Sequence, residues 1–169
     1  GEGADGAVTL GASEYLKVVH GQVAGRPPEV DIDLELAVQA ACRYGIRQGW
    51  ITAAHDCAEG GVAIALAESA IGGNLGATIL LPDSAQRHDT LLFGEGGARI
   101  IVTVAPIHKI AWETYLTTQL HYQWSILGTV TNADTALTMQ IPGATPLIDL
   151  PVSTLANSWH HAIERALET

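Results

Sequence analysis

Between positions 34 and 46 the apolar residues Leu34, Ala37, Val38, Ala41, Cys42, Gly45 and Ile46 recur at intervals of three and four, the spacing of one helical face. Asp31 or Asp33 can cap the start of this helix, and Gly49 stands at its end. A shorter helix over 13–20 has Ser13 as its N-cap, and residues 25–28 (GRPP) break the chain after it. Residues 50–54 form a short apolar strand. A helix over 61–71 follows, apolar on every side except for Glu68, which predicts burial. Two runs rich in β-branched residues, 77–81 and 99–104 (RIIVTV), predict central strands covered on both faces. Beyond Pro106 the pattern gives a helix over 107–120, strands over 124–130 and 136–141 joined by a polar turn at 131–135, and a last helix. That helix carries Leu155, Trp159, Ala162, Ile163, Ala166 and Leu167 on one face. Helices and strands alternate, so the expected class is α+β in α/β-like layers, with helices packed on a mixed sheet.

Composition narrows the function more than the fold. A chain of 169 residues that is 47% hydrophobic and only 15% charged can bury a substantial core. Its net charge of −10, with eight Lys and Arg, argues against nucleic acid or an anionic membrane as partner. Phosphate ligands are not excluded, because backbone N–H groups or a metal ion can hold them. Cys42 and Cys57 are too few for a disulfide framework and read as reduced thiols of a cytoplasmic protein. The opening GEGADGAVTLGAS is Gly- and Ala-rich and reads as a linker, or the tail of a preceding domain, over 1–12. A single domain is expected over 13–169, as part of a longer chain.

Two polar clusters interrupt this apolar chain. In HDCAEGG, Gly60 and Gly61 let the backbone approach a ligand at a helix start, where free N–H groups favour an anion. Asp56 and Glu59 would suit a phosphate bound together with magnesium, Asp56 being the candidate metal ligand. Equally, a carboxylate there can simply cap the helix while the glycines permit close packing. His55, Asp56 and Cys57 cannot form a catalytic triad, since successive residues of an extended segment point to opposite sides. Nothing cationic in the local sequence would activate Cys57. In LLFGEGGARIIV, Glu95 sits among Gly94, Gly96 and Gly97, with Arg99 opening the strand. This is a loop able to hold a polar ligand, or a glycine-rich connection with both charges exposed. WHHAIE near the end directs His160 and His161 about 100° apart, so it reads as a solvated face rather than a metal site.

Taken together, SEYLKVVHGQVAGRPPEVDIDLE, AHDCAEGGVAIALAES and LFGEGGARIIVTV resemble, in order and spacing, the C-terminal domain of the phosphoribosylformylglycinamidine synthases, PurL subunit. The resemblance runs from about Leu10 to the end. It is weaker toward aminoimidazole ribonucleotide synthetase and selenophosphate synthetase, which share the fold. It implies a PurM C-terminal-domain-like fold within an ATP- and magnesium-dependent C–N ligase. That enzyme converts formylglycinamide ribonucleotide, with glutamine-derived ammonia, to formylglycinamidine ribonucleotide. The implied partners are upstream domains of the same polypeptide, a glutaminase subunit and a small PurS-type subunit. The family's catalytic histidine and main ATP motifs lie upstream, so no catalytic residue is expected here. By the resemblance, Asp56 matches a magnesium ligand of the first flanking domain, and Glu95 to Gly97 match a substrate-contacting segment. Gly96 and Gly97 replace the usual Ser and Gln, which favours a retired site in this copy. The alternative functions are a structural, partner-docking domain or the equivalent domain of another enzyme of the superfamily. Asp56 and the Gly60–Gly61 corner are expected to share one cleft with residues 95–99, provided that strands 50–54 and 99–104 are antiparallel neighbours.

Overall fold

The computed structural model describes residues 8–133 and 135–168. In chain order its elements are α1 (Glu14–His20), α2 (Ile32–Arg47), β1 (Ile51–Asp56), α3 (Gly61–Gly73), β2 (Leu75–Leu80), α4 (His88–Phe93), β3 (Ile100–Val104), α5 (Lys109–Leu120), β4 (Gly128–Ala133), β5 (Ala136–Gln140), β6 (Ile148–Pro151), α6 (Val152–His160) and α7 (Ala162–Leu167). They divide into two compact units. The first runs through Ala65 and resumes at Gln86–Ser125; the second comprises Leu66–Ala85 and the chain from Ile126 onward. α3 begins in one and ends in the other.

In the first unit the caps form where the sequence places them. The Ser13 hydroxyl accepts from Leu16 N–H at 3.3 Å and donates to the Leu10 carbonyl at 2.7 Å, which satisfies it although it is buried. The Asp31 carboxylate accepts from Leu34 N–H at 3.0 Å. Between α2 and α5 lies a core of Ala41, Trp112, Leu116 and Leu120, against which Ile51 of β1 and Val102 and Val104 of β3 pack. Tyr44 stacks on Tyr115 with ring centroids 4.2 Å apart, and Trp50 meets both edge-on. Such pairs add roughly 0.5–1.5 kcal/mol each beyond area burial.

β1 and β3 are antiparallel, with Ala54 opposite Val102 and Asp56 opposite Ile100. This corrects the expectation for 99–104. Among the described residues β3 pairs with β1 alone, and all five of its residues are half-buried. The apolar run reports one face packed on helices, not a central place in a sheet. Part of the supposed linker is also built into this unit. Thr9 and Glu95 exchange backbone hydrogen bonds of 3.0 and 2.9 Å, and Ala12 N–H donates to the Ala24 carbonyl. Residues 1–7 lie outside the described residues.

The second unit holds a four-stranded mixed sheet, ordered β4-β2-β5-β6, in which β2 and β5 are parallel and the other pairs antiparallel. Ala77, Ile79, Leu137 and Met139 line its buried face, with Val152 at the start of α6. The α+β class therefore holds, but among the described residues the strands form two sheets rather than one. Two short elements, α4 and β6, have no counterpart in the periodicity. The last helix breaks at His161. Its expected inward face is exposed: Trp159, Ile163 and Leu167 keep 55%, 77% and 82% of their surface.

Candidate functional site

The antiparallel pairing of β1 with β3 lays the end of one strand beside the start of the other, and a hydrogen bond from Cys57 N–H to the Arg99 carbonyl (2.9 Å) extends it by one step. The two glycine loops therefore meet. Beside them is a cleft of about 260 Å³ lined by Glu35, Gln39, Asp56, Cys57, residues 96–98, Arg99 and Ile100, all within the first unit. Of the residues singled out from sequence, Asp56, Gly96, Gly97 and Arg99 line this cleft; Glu59, Gly60, Gly61 and Glu95 do not.

Glu95 faces the other way. Its Oε1 accepts from Gly60 N–H and from Glu14 N–H, both at 2.9 Å. One carboxylate oxygen thus ties the glycine corner to the first turn of α1, while the Glu95 backbone holds Thr9. Partial burial of a carboxylate is tolerable where backbone donors satisfy it in this way.

The glycine pair is required by the backbone. Gly60 and Gly61 have φ of 76° and 67°, the left-handed region. A Cβ on Gly61 would lie 2.6 Å from the Gly94 carbonyl oxygen and 2.9 Å from the Phe93 carbonyl carbon. Close packing of two backbones accounts for Gly61. Glu59 is exposed; the Lys17 pKa is raised chiefly by its hydrogen-bonded ion pair with Glu14, with Glu59 a minor contributor.

Arg99 is half-buried. Its Nη2 donates to the Gly94 carbonyl at 2.7 Å, whereas Nε is buried with no partner. Burial lowers its pKa, partly offset by Cys57 and Glu95, and it stays charged at neutral pH. Burial pushes the Cys57 thiol up, outweighing the lowering by Arg99. A cation does lie near Cys57, contrary to the local sequence, yet desolvation wins and the thiol stays neutral. Asp56 is 77% exposed at its side chain, and His55 Nδ1 donates to the Asp56 carbonyl at 2.7 Å. An exposed carboxylate suits magnesium held mainly by phosphate and water. Among the described residues no three His, Cys, Asp or Glu side chains converge as a ligand set.

Two cleft residues escaped the sequence reading. Glu35 Oε2 accepts from Ala98 N–H at 2.5 Å, and Glu35 Oε1 from Gln39 Nε2 at 2.7 Å. In sequence they are an ordinary i, i+4 polar pair on a helix. Only Ala98, a non-glycine at φ 54°, marks the loop they restrain, and that strain is invisible in sequence.

A two-sheet α+β chain with a glycine-rich corner beside a carboxylate-bearing cleft defines the class. The chain belongs to the family described as AIR synthase related protein, C-terminal domain, matched over residues 4–140. It is 58% identical over 167 residues to the phosphoribosylformylglycinamidine synthase subunit PurL of Synechocystis sp., covering 99% of this chain and 22% of that protein. The corresponding subunit of Synechococcus elongatus is 52% identical over 98% of this chain and 21% of its own length. The chain thus spans about a fifth of the length of these curated relatives. Among solved structures, PurLQS from Thermotoga maritima superposes with a TM-score of 0.65 at 20% identity, over 76% of this chain and 23% of that one. T. maritima PurL complexed with ATP gives 0.61 at 20%, over 71% and 21%. At such identity these two likenesses establish the fold. No helix among the described residues is long and apolar enough to cross a membrane.

Proposed function

We propose that this chain serves as the C-terminal domain of a phosphoribosylformylglycinamidine synthase, with 13–169 as that domain and 1–12 as the end of the segment before it. The intact cytoplasmic enzyme would use ATP and magnesium to convert formylglycinamide ribonucleotide, with glutamine-derived ammonia, to formylglycinamidine ribonucleotide. Upstream domains of the same polypeptide, a glutaminase subunit and a small PurS-type subunit would be its partners. The observation that carries the reading is 58% identity over 99% of the chain to a named PurL subunit. Replacing the matching segment of the Synechocystis subunit with this chain tests it: the chimera should keep synthase turnover, and a folded but inactive chimera would refute the assignment. The 169-residue chain alone should show no turnover with ATP, magnesium and ammonia.

Within that enzyme we assign this copy's cleft a structural role. Glu95 is spent on Gly60 and Glu14, and Glu35 on Ala98 and Gln39, so the carboxylates that could orient a ligand restrain loops instead. The second reading, a working metal–phosphate corner with Asp56 as magnesium ligand and Arg99 as anion partner, is favoured by the exposure of Asp56 and the unpartnered Arg99 Nε. When bound, magnesium would neutralise phosphate charge beside Asp56. Titration calorimetry of ATP and magnesium into the intact parent subunit, wild type against Asp56→Ala, separates the two. A binding site lost with Asp56→Ala would retire the structural reading.

A further inference from the structure

We infer that the Glu35 carboxylate is a built-in anion: it occupies the place at the 96–99 loop that a phosphoryl group would take, and thereby keeps that loop closed to phosphate. Three observations converge on the loop. Ala98 adopts φ 54°, which turns its N–H out of the chain direction toward α2, and that N–H ends on Glu35 Oε2 at 2.5 Å. The neighbouring Gly96 and Gly97 N–H groups donate to no described residue, and Gly97 carries no side chain, its ideal Cβ position being 3.4 Å from the same carboxylate oxygen. Arg99 Nε, in the same loop, is buried without a partner. Successive backbone donors at a glycine bend make an anion concavity; Arg99 lines the same cleft, with the Gly94 carbonyl rather than Glu35 as its hydrogen-bond partner. Here the anion comes from the chain itself, at the first turn of α2, and Gln39 Nε2 holds its other oxygen at 2.7 Å. A ligand must displace a carboxylate tethered at high effective concentration, and Asp56 adds repulsion to any bare anion.

This rests on the structural reading of the cleft and predicts how that reading can be undone. The ¹⁵N-labelled 169-residue chain, wild type, Glu35→Ala and Glu35→Gln, is titrated with inorganic phosphate and separately with Mg·ATP while the Gly96, Gly97 and Ala98 amides are followed. Wild type should show no saturable shift. Glu35→Ala should bind roughly tenfold or more tightly relative to wild type. A response to Mg·ATP but not to inorganic phosphate assigns the phosphoryl group to a metal–nucleotide; a response to both assigns it to any phosphate. Glu35→Gln should open too, though less than Glu35→Ala, because the negative charge is gone while its amide oxygen can still accept from Ala98. If Glu35→Ala does not fold, Glu35→Asp, one methylene short of Ala98, takes its place. A folded opening variant whose three amides ignore both ligands overturns the inference alone. Wild type binding at these amides sinks the structural reading of the cleft with it.

Discussion

Three glycines of the first unit allow backbone strain to be separated from packing. Gly21, Gly60 and Gly61 all have left-handed φ, of 64°, 76° and 67°. Alanine in that region costs about 1–2 kcal/mol. Their surroundings differ. Nothing lies within 4 Å of a Cβ built on Gly21; at Gly60 the Cβ overlaps Cγ1 of the Ile64 side chain; at Gly61 it meets the backbone of residues 92–94 at 2.6–3.0 Å. The end of α4 cannot yield as a side chain can, so Gly61→Ala adds an overpacking cost of about 1–3 kcal/mol. Gly21→Ala should therefore lose about 1–2 kcal/mol and Gly61→Ala about 2–5, with Gly60→Ala between them. For a chain of this length each kcal/mol moves the melting temperature by roughly 2–4 °C. Differential scanning calorimetry of the three variants should thus rank them Gly21, Gly60, Gly61, with Gly61→Ala lowest by several degrees. If Gly61→Ala melts no lower than Gly21→Ala, the close approach to residues 92–94 does not constrain the corner. The glycine would then have to be explained by a ligand instead.

Glu95→Ala removes the acceptor for two backbone donors and should cost about 1–3 kcal/mol in chemical denaturation, while Glu95→Gln should recover much of it; equal loss in both would show that the charge matters more than the acceptor. Leu66→Asp sets a carboxylate at a position only 7% exposed and should cost several kcal/mol; an unchanged melting curve would place that part of α3 at the surface. Because burial raises the Cys57 pKa above its ordinary value of 9.0, the unfolded thiol ionises first as pH rises. Its contribution to stability is therefore full below pH about 9 and is lost above that, toward the folded pKa; Cys57→Ala should flatten the fall in melting temperature over that alkaline range.

The sequence by itself determined most of the local elements and the family. Helix caps are short-range hydrogen bonds, so Ser13, and Asp31 or Asp33, could be read at sight; Ser13 and Asp31 perform as caps. Apolar periodicity located α2 and α5, and the motif block around Asp56 identified the relatives. Which strands pair was beyond it, because a β-branched run reports coverage of a face and not its neighbours; β3 therefore reads as central yet pairs only with β1 among the described residues. The direction of each site side chain was equally a tertiary decision. Glu95 stands beside Arg99 in sequence terms but is claimed by two backbone donors 35 and 81 residues away, while Glu35, 63 residues from Ala98, enters the cleft unannounced. A carboxylate goes where unsatisfied N–H groups await it, and only the folded backbone determines where those are.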